Sequence, residues 1–184
     1  MSPSGDQAAD IGRLDIAAPA AFEAAVAPLF EGAPRFLGRL AAARPFGAWP
    51  ALFEAARSIA HHMSEAEQVE LVDAHPRLGA APASVSALSF REQGYDHDGE
   101  ANPASEAPAT AIATELDRLN RAYEARFGFR YCVFVAGRSR SELLPEMAAA
   151  LTRPRDSELH RALDAVVDIA IDRHRGLATA VPDA

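Results

Sequence analysis

Apolar side chains spaced three and four residues apart recur along most of this chain, and that period leaves little room for a sheet. In "AAFEAAVAPLF" (20–30) Phe22, Val26, Leu29 and Phe30 form one stripe. Pro28 falls inside it, which predicts a kinked or shortened helix. "PRFLGRLAAAR" opens with Pro34 at a suitable first helical position. "PFGAWPALFEAARSIAHHM" sets Trp49, Phe53 and Ala56 on one face. Ile112, Leu116, Leu119 and Tyr123 predict a long helix over about 109–126, stopped by Gly128. Leu159, Leu163, Val166, Val167 and Ala170 predict a last helix over about 156–175, after Pro154. Two capping-box patterns mark further starts, Ser64 with Glu67 and Ser139 with Glu142. The first box opens "SEAEQVELVDAHP", whose apolar side is Val69, Leu71 and Val72. One short apolar run, "FRYCVFV" (129–135), is strand-like, and periodicity does not decide between an extended segment and a buried turn. About seven helices and at most one such run predict an all-α, single-domain multi-helix bundle.

A chain of 184 residues buries enough surface to need no disulfide or metal staple. The helical domain is expected over 14–177, with loose ends at 1–13 and 178–184 and a loop-like stretch at 94–108. The formal charge is −8 and no block of basic residues occurs, so no nucleic-acid partner is expected. Cys132 is the single cysteine, which excludes an internal disulfide and points to a reducing compartment. "MSPSGDQAAD" does not read as a signal peptide, and no apolar run approaches the roughly 18 residues of a membrane span. A cytoplasmic protein with no membrane partner is the expectation.

"LVDAHPRLGAAP" (71–82) carries the first candidate for chemistry. Pro76 pushes residue 75 out of the helical region. An imidazole at such an end can enter a cleft and move protons near neutral pH. It can equally cap the last carbonyls of the helix. Glu92 follows Ser89 by three residues in "SFREQ", which reads most simply as a helix start. Arg173 sits near the end of the last helix, where basic residues belong electrostatically. His61 and His62 are adjacent and lack the i, i+4 spacing of a metal site. "DHDG" (96–99) resembles only part of a calcium loop, so no metal is expected. Cys132 reads as a small hydrophobe.

Four segments in order carry a resemblance: "HPRLG" (75–79), "SFREQ" (89–93), "LNRAYEARFGFRY" (119–131) and "ELHRALDAVVDIAIDRH" (158–174). Together they resemble the OHCU decarboxylases of urate breakdown, OHCU being 2-oxo-4-hydroxy-4-carboxy-5-ureidoimidazoline. The resemblance covers roughly residues 14–175. It implies an all-α fold, often a homodimer, that turns OHCU into (S)-allantoin with loss of CO2 and uses no metal or organic cofactor. It also implies that His75 and Glu92 are catalytic and that Arg173 is an active-site arginine. Pro76, Ser89 and Gln93 would line the pocket, and the segment Tyr131, Cys132, Val133, Phe134 and Val135 would offer backbone groups to the ureidoimidazoline ring. The chain departs from the family pattern at "GYDHDG" after Gln93, and at Arg130, where a proline is common.

Two rivals stand beside that expectation. One is a paralogue acting on another ureido or imidazole compound. The other is a non-enzymatic helical interaction module.

Overall fold

The computed structural model describes residues 10–80 and 106–179. Among them every regular element is helical: α1 (Ile11–Ile16), α2 (Pro19–Val26), a 3-10 turn (Ala27–Leu29), α3 (Pro34–Ala42), α4 (Trp49–His62), α5 (Glu65–Asp73), α6 (Glu106–Phe127), α7 (Arg140–Ala150) and α8 (Arg155–Thr179). No strand occurs among the described residues, as the helical period requires. The chain groups into two compact units, 1–74 with 166–184, and 75–165.

In the first unit, the Asp10 carboxylate accepts the Gly12 N–H at 3.0 Å and starts α1. Leu14 is buried, so the expected loose end yields to a helix from Ile11. Pro28 acts as its sequence predicts. With no N–H to continue the α ladder, α2 stops at Val26 and tightens into the 3-10 turn. Phe22, Val26, Leu29, Phe30, Phe36, Leu40 and Leu52 form the core. Both proton acceptors of the Ser64–Glu67 box are engaged, and α5 begins there. Leu71 and Val72 are buried as predicted, whereas Val69 is only half-buried. Gln68 is buried in its place. Its amide donates to the Ala60 and His61 carbonyls at 3.0 and 3.1 Å, closing the end of α4.

In the second unit, α6 ends at Phe127, and Gly128 follows with φ +79. The first residues of α6, 106–108, fall within the stretch expected to be loop-like. Tyr123 gathers Phe127, Phe129 and Tyr131 around it, with ring centroids at 4.5, 5.7 and 5.1 Å. The Ser139–Glu142 box starts α7 as its sequence predicts. The helix α8 begins at Arg155 in this unit and runs to Thr179, its residues from 166 on belonging to the first unit; it passes the expected stop, so 178 and 179 are helical. Gly176 disfavours a helix by about 1 kcal/mol relative to alanine, which is too little to end one this long.

Candidate active site

Where α5 ends, Ala74 is its C-cap and His75 leaves the helix before Pro76. His75 is 4% exposed. Its carbonyl accepts a hydrogen bond from Arg130 Nη1 at 3.0 Å. Two residues on, Arg77 pairs with Glu124, Nε to Oε1 at 2.6 Å. The Leu78 carbonyl accepts from the buried Asn120 Nδ2 at 2.9 Å. Gly79 has φ +79, and a Cβ there would stand 3.0 Å from Leu116 Cδ1. A side chain at that position meets both a strained backbone and a close neighbour. "HPRLG" is thus bonded to α6 and its exit at three residues, His75, Arg77 and Leu78.

The run 131–135 belongs to no helix or sheet among the described residues, so its peptide groups need other partners. Arginines supply them. Arg161 Nη1 donates to the Cys132 carbonyl at 2.9 Å. Arg138 donates through Nη2 to the Phe134 carbonyl at 2.7 Å and through Nε to the Val135 carbonyl at 3.0 Å. Each guanidinium is itself clamped. Arg138 pairs with Glu146 at 2.7 Å, and Arg161 Nε donates to Glu158 Oε2 at 2.9 Å. Glu158 is fully buried and also accepts from the Tyr123 hydroxyl at 2.9 Å and from Arg153 at 3.1 Å. Such saturation is what a buried carboxylate requires.

Tyr131, Cys132 and Val135 are buried, and Val133 and Phe134 are half-buried. Cys132 is buried and in no disulfide. Burial pushes the Tyr131 phenol up to about 12 against the opposing pull of Arg161, and burial likewise raises Tyr123. Both are neutral donors at physiological pH. The Tyr131 hydroxyl makes no hydrogen bond among the described residues.

Arg173 lies in the first unit, with a side chain 1% exposed. Its Nη1 donates to the Pro28 carbonyl at 2.9 Å and its Nη2 pairs with Glu31 Oε1 at 2.8 Å. The same unit holds a cleft of about 470 Å³ lined by Trp49, Phe53, Ile171 and His174 among others. His174 stacks on Trp49 at 4.0 Å between ring centroids, and burial followed by the Arg175 charge lowers its pKa. Ser89, Glu92 and Gln93, and the "DHDG" stretch, lie outside the described residues. No group of three His, Cys, Asp or Glu side chains stands ready for a metal among the described residues. No helix among them is long and apolar enough to cross a membrane.

Sequence reasoning singled out His75 and the run 131–135 but gave no role to Asn120, Arg138, Glu158 or Arg161. The signal was present for Asn120, which sits inside "LNRAYEARFGFRY". Glu158 and Arg161 stand i, i+3 on a helix, a spacing that normally marks a solvated pair.

An all-α chain whose two linked motifs meet in one unit invites comparison with known proteins. The family profile described as OHCU decarboxylase matches residues 16–175, and the chain belongs to that family. It is 26% identical over 149 residues to the 2-oxo-4-hydroxy-4-carboxy-5-ureidoimidazoline decarboxylase of Haloferax volcanii, covering 81% of this chain and 84% of the relative. It is 25% identical over 145 residues, 79% of this chain, to a uric acid degradation bifunctional protein of Bacillus sp. (strain TB-90), and spans 27% of that protein. It spans the same share of the uric acid degradation bifunctional protein PucL of Bacillus subtilis, at 29% identity over 142 residues and 77% of this chain. Two solved structures share the fold, each with TM-score 0.62. One is a crystal structure of (S)-allantoin synthase, 18% identical, covering 92% of this chain and 54% of that one. The other is OHCU decarboxylase in the presence of (S)-allantoin, 21% identical, covering 80% and 93%.

Proposed function

We propose that this chain is a cofactor-independent carboxy-lyase that converts OHCU to (S)-allantoin and CO2 in urate breakdown. Family membership over 16–175 supports the reaction class. The observation that carries the site is the bond from Arg130 to the His75 carbonyl, which ties the "HPRLG" corner to the residue that enters the run 131–135.

Loss of CO2 leaves an electron pair on the ring carbon. The ring C=N bond of OHCU, next to that carbon and conjugated with the ring carbonyl, takes up the pair and passes it on as oxyanion character, so the protein needs no separate electron sink. It must hold the ring, stabilise the developing charge and return a proton to one face. Only interactions stronger in the transition state than in the ground state accelerate that step. In this reading His75 moves the proton, at the 4-hydroxyl or at the carbon, and Glu92 orients its ring or binds the ureido N–H groups. The Val133 N–H stabilises the oxyanion. Arg173 grips a carbonyl or carboxylate oxygen through its planar fork. Pro76, Ser89, Gln93 and the backbone of 131–135 shape the pocket and keep it dry around the departing carboxylate. A cytoplasmic homodimer completes the reading. The lone buried Cys132 favours a reducing compartment, and the family resemblance implies the dimer.

Freshly generated OHCU tests it. Purified protein should release CO2 and accumulate dextrorotatory (S)-allantoin faster than spontaneous decay. Decay at the spontaneous rate, giving racemic allantoin, contradicts the reading and favours the paralogue or the interaction module.

A further inference from the structure

The peptide unit that offers the Val133 N–H has the Cys132 carbonyl as its other end. That carbonyl accepts from Arg161 Nη1 at 2.9 Å. A donor placed on the oxygen of an amide draws electron density through the planar unit and makes its N–H a stronger donor, by about 10–30% per bond. A charged guanidinium is among the strongest such donors.

The guanidinium is held still. Glu158, fully buried, accepts from its Nε at 2.9 Å, and its carbon lies 4.7 Å from the Tyr131 ring centroid. Burial works against the charge on Arg161, yet its pKa is raised, and at physiological pH the neighbouring Glu158 carboxylate is the charge that favours the protonated form. Nothing else of regular structure fixes the peptide: the run has no strand partner among the described residues.

We propose that Arg161, clamped by Glu158, is a positioning residue that fixes and polarises the 132–133 peptide so that its N–H meets the oxyanion of decarboxylation. The inference rests on the decarboxylase reading and deepens it. Arg161 acts one bond behind the donor that touches the substrate. Removing an oxyanion donor outright costs about 10²–10³ in turnover, so loss of Arg161 should cost less, on the order of tenfold to a hundredfold. The loss should fall on kcat and leave KM within about twofold, because the polarised N–H matters most where charge develops.

The test combines kinetics on OHCU with amide NMR of the free protein. Arg161→Met removes the donor and keeps the apolar stem. Arg161→Lys keeps a charge that cannot hold Glu158 and the carbonyl in one fork. Arg153→Met removes another cation from Glu158 without touching the run, and serves as the control. The Val133 amide proton should move upfield in Arg161→Met, less in Arg161→Lys, and not in Arg153→Met. Turnover should follow the same order. Should the Met variant not fold, the Lys variant carries the comparison with the control. A folded Arg161 variant with the wild-type Val133 resonance and wild-type kcat overturns the proposal. A wild type that does not accelerate OHCU loss contradicts the decarboxylase reading instead, and the two failures are told apart by the wild-type rate.

Discussion

At the scale of single residues, burial separates side chains that look alike in the sequence. Arg77 and Arg173 both end beside a carboxylate. The Arg77–Glu124 pair is part-exposed, with side chains 43% and 24% accessible. Arg173 is 1% and Glu31 16% accessible. Solvent screens the first pair, so Arg77→Ala should cost below about 1 kcal/mol. Glu31→Ala removes the carboxylate from a buried cation and should cost about 3 kcal/mol or more. Urea unfolding of the two variants checks the contrast, and equal midpoints would contradict it. Sequence reasoning could name Arg173, because its family motif is local. Its partner Glu31 lies across the chain on a left-handed residue, φ 52, and no spacing rule reaches that far. His75 was legible for the opposite reason: the proline after it and the capped helix before it are neighbours in sequence.

At the scale of elements, helix starts were read well and helix ends less well. Ser64 with Glu67, and Ser139 with Glu142, are short-range patterns whose chemistry fits in four residues, and both boxes form. The Glu67 carboxyl is held at about 2 against an ordinary 4.5, first by the Ser64 hydroxyl and then by Arg39. Its folded value is depressed, so its contribution is complete above about pH 4.5 and disappears as the pH falls towards 2. Ser64→Ala should lower stability by about 1 kcal/mol at neutral pH and flatten the loss between those two values. Denaturation midpoints measured across that range decide it, and parallel curves for the two proteins would contradict the coupling. The end of α8 was misplaced because weak local signals at Gly176 compete with a helix of 25 residues. The run 129–135 stayed undecided because its stability comes from side chains of α8 and of the turn before α7.

At the scale of the whole molecule, the sequence contains no lysine, so all 18 basic residues are arginine. Several of them hold backbone carbonyls where helices end or the chain is in no regular element. Arg44 holds Leu14 and Ala17, Arg155 holds Phe127, and Arg130, Arg138 and Arg161 hold the proposed site. A rigid fork with five donors suits that task better than a single ammonium. The all-α class was legible because it depends on a period repeated along the chain. The bracing was not, because it depends on which arginines become buried. In the proposed reaction His75 is the group that moves the proton, in a corner held by Arg130. The most direct measurement compares wild type with His75→Ala on freshly generated OHCU, following (S)-allantoin by circular dichroism. A general acid–base role predicts turnover lower by about 10²–10⁴ with the helical far-ultraviolet signal unchanged. A folded His75→Ala that makes (S)-allantoin at the wild-type rate would contradict it.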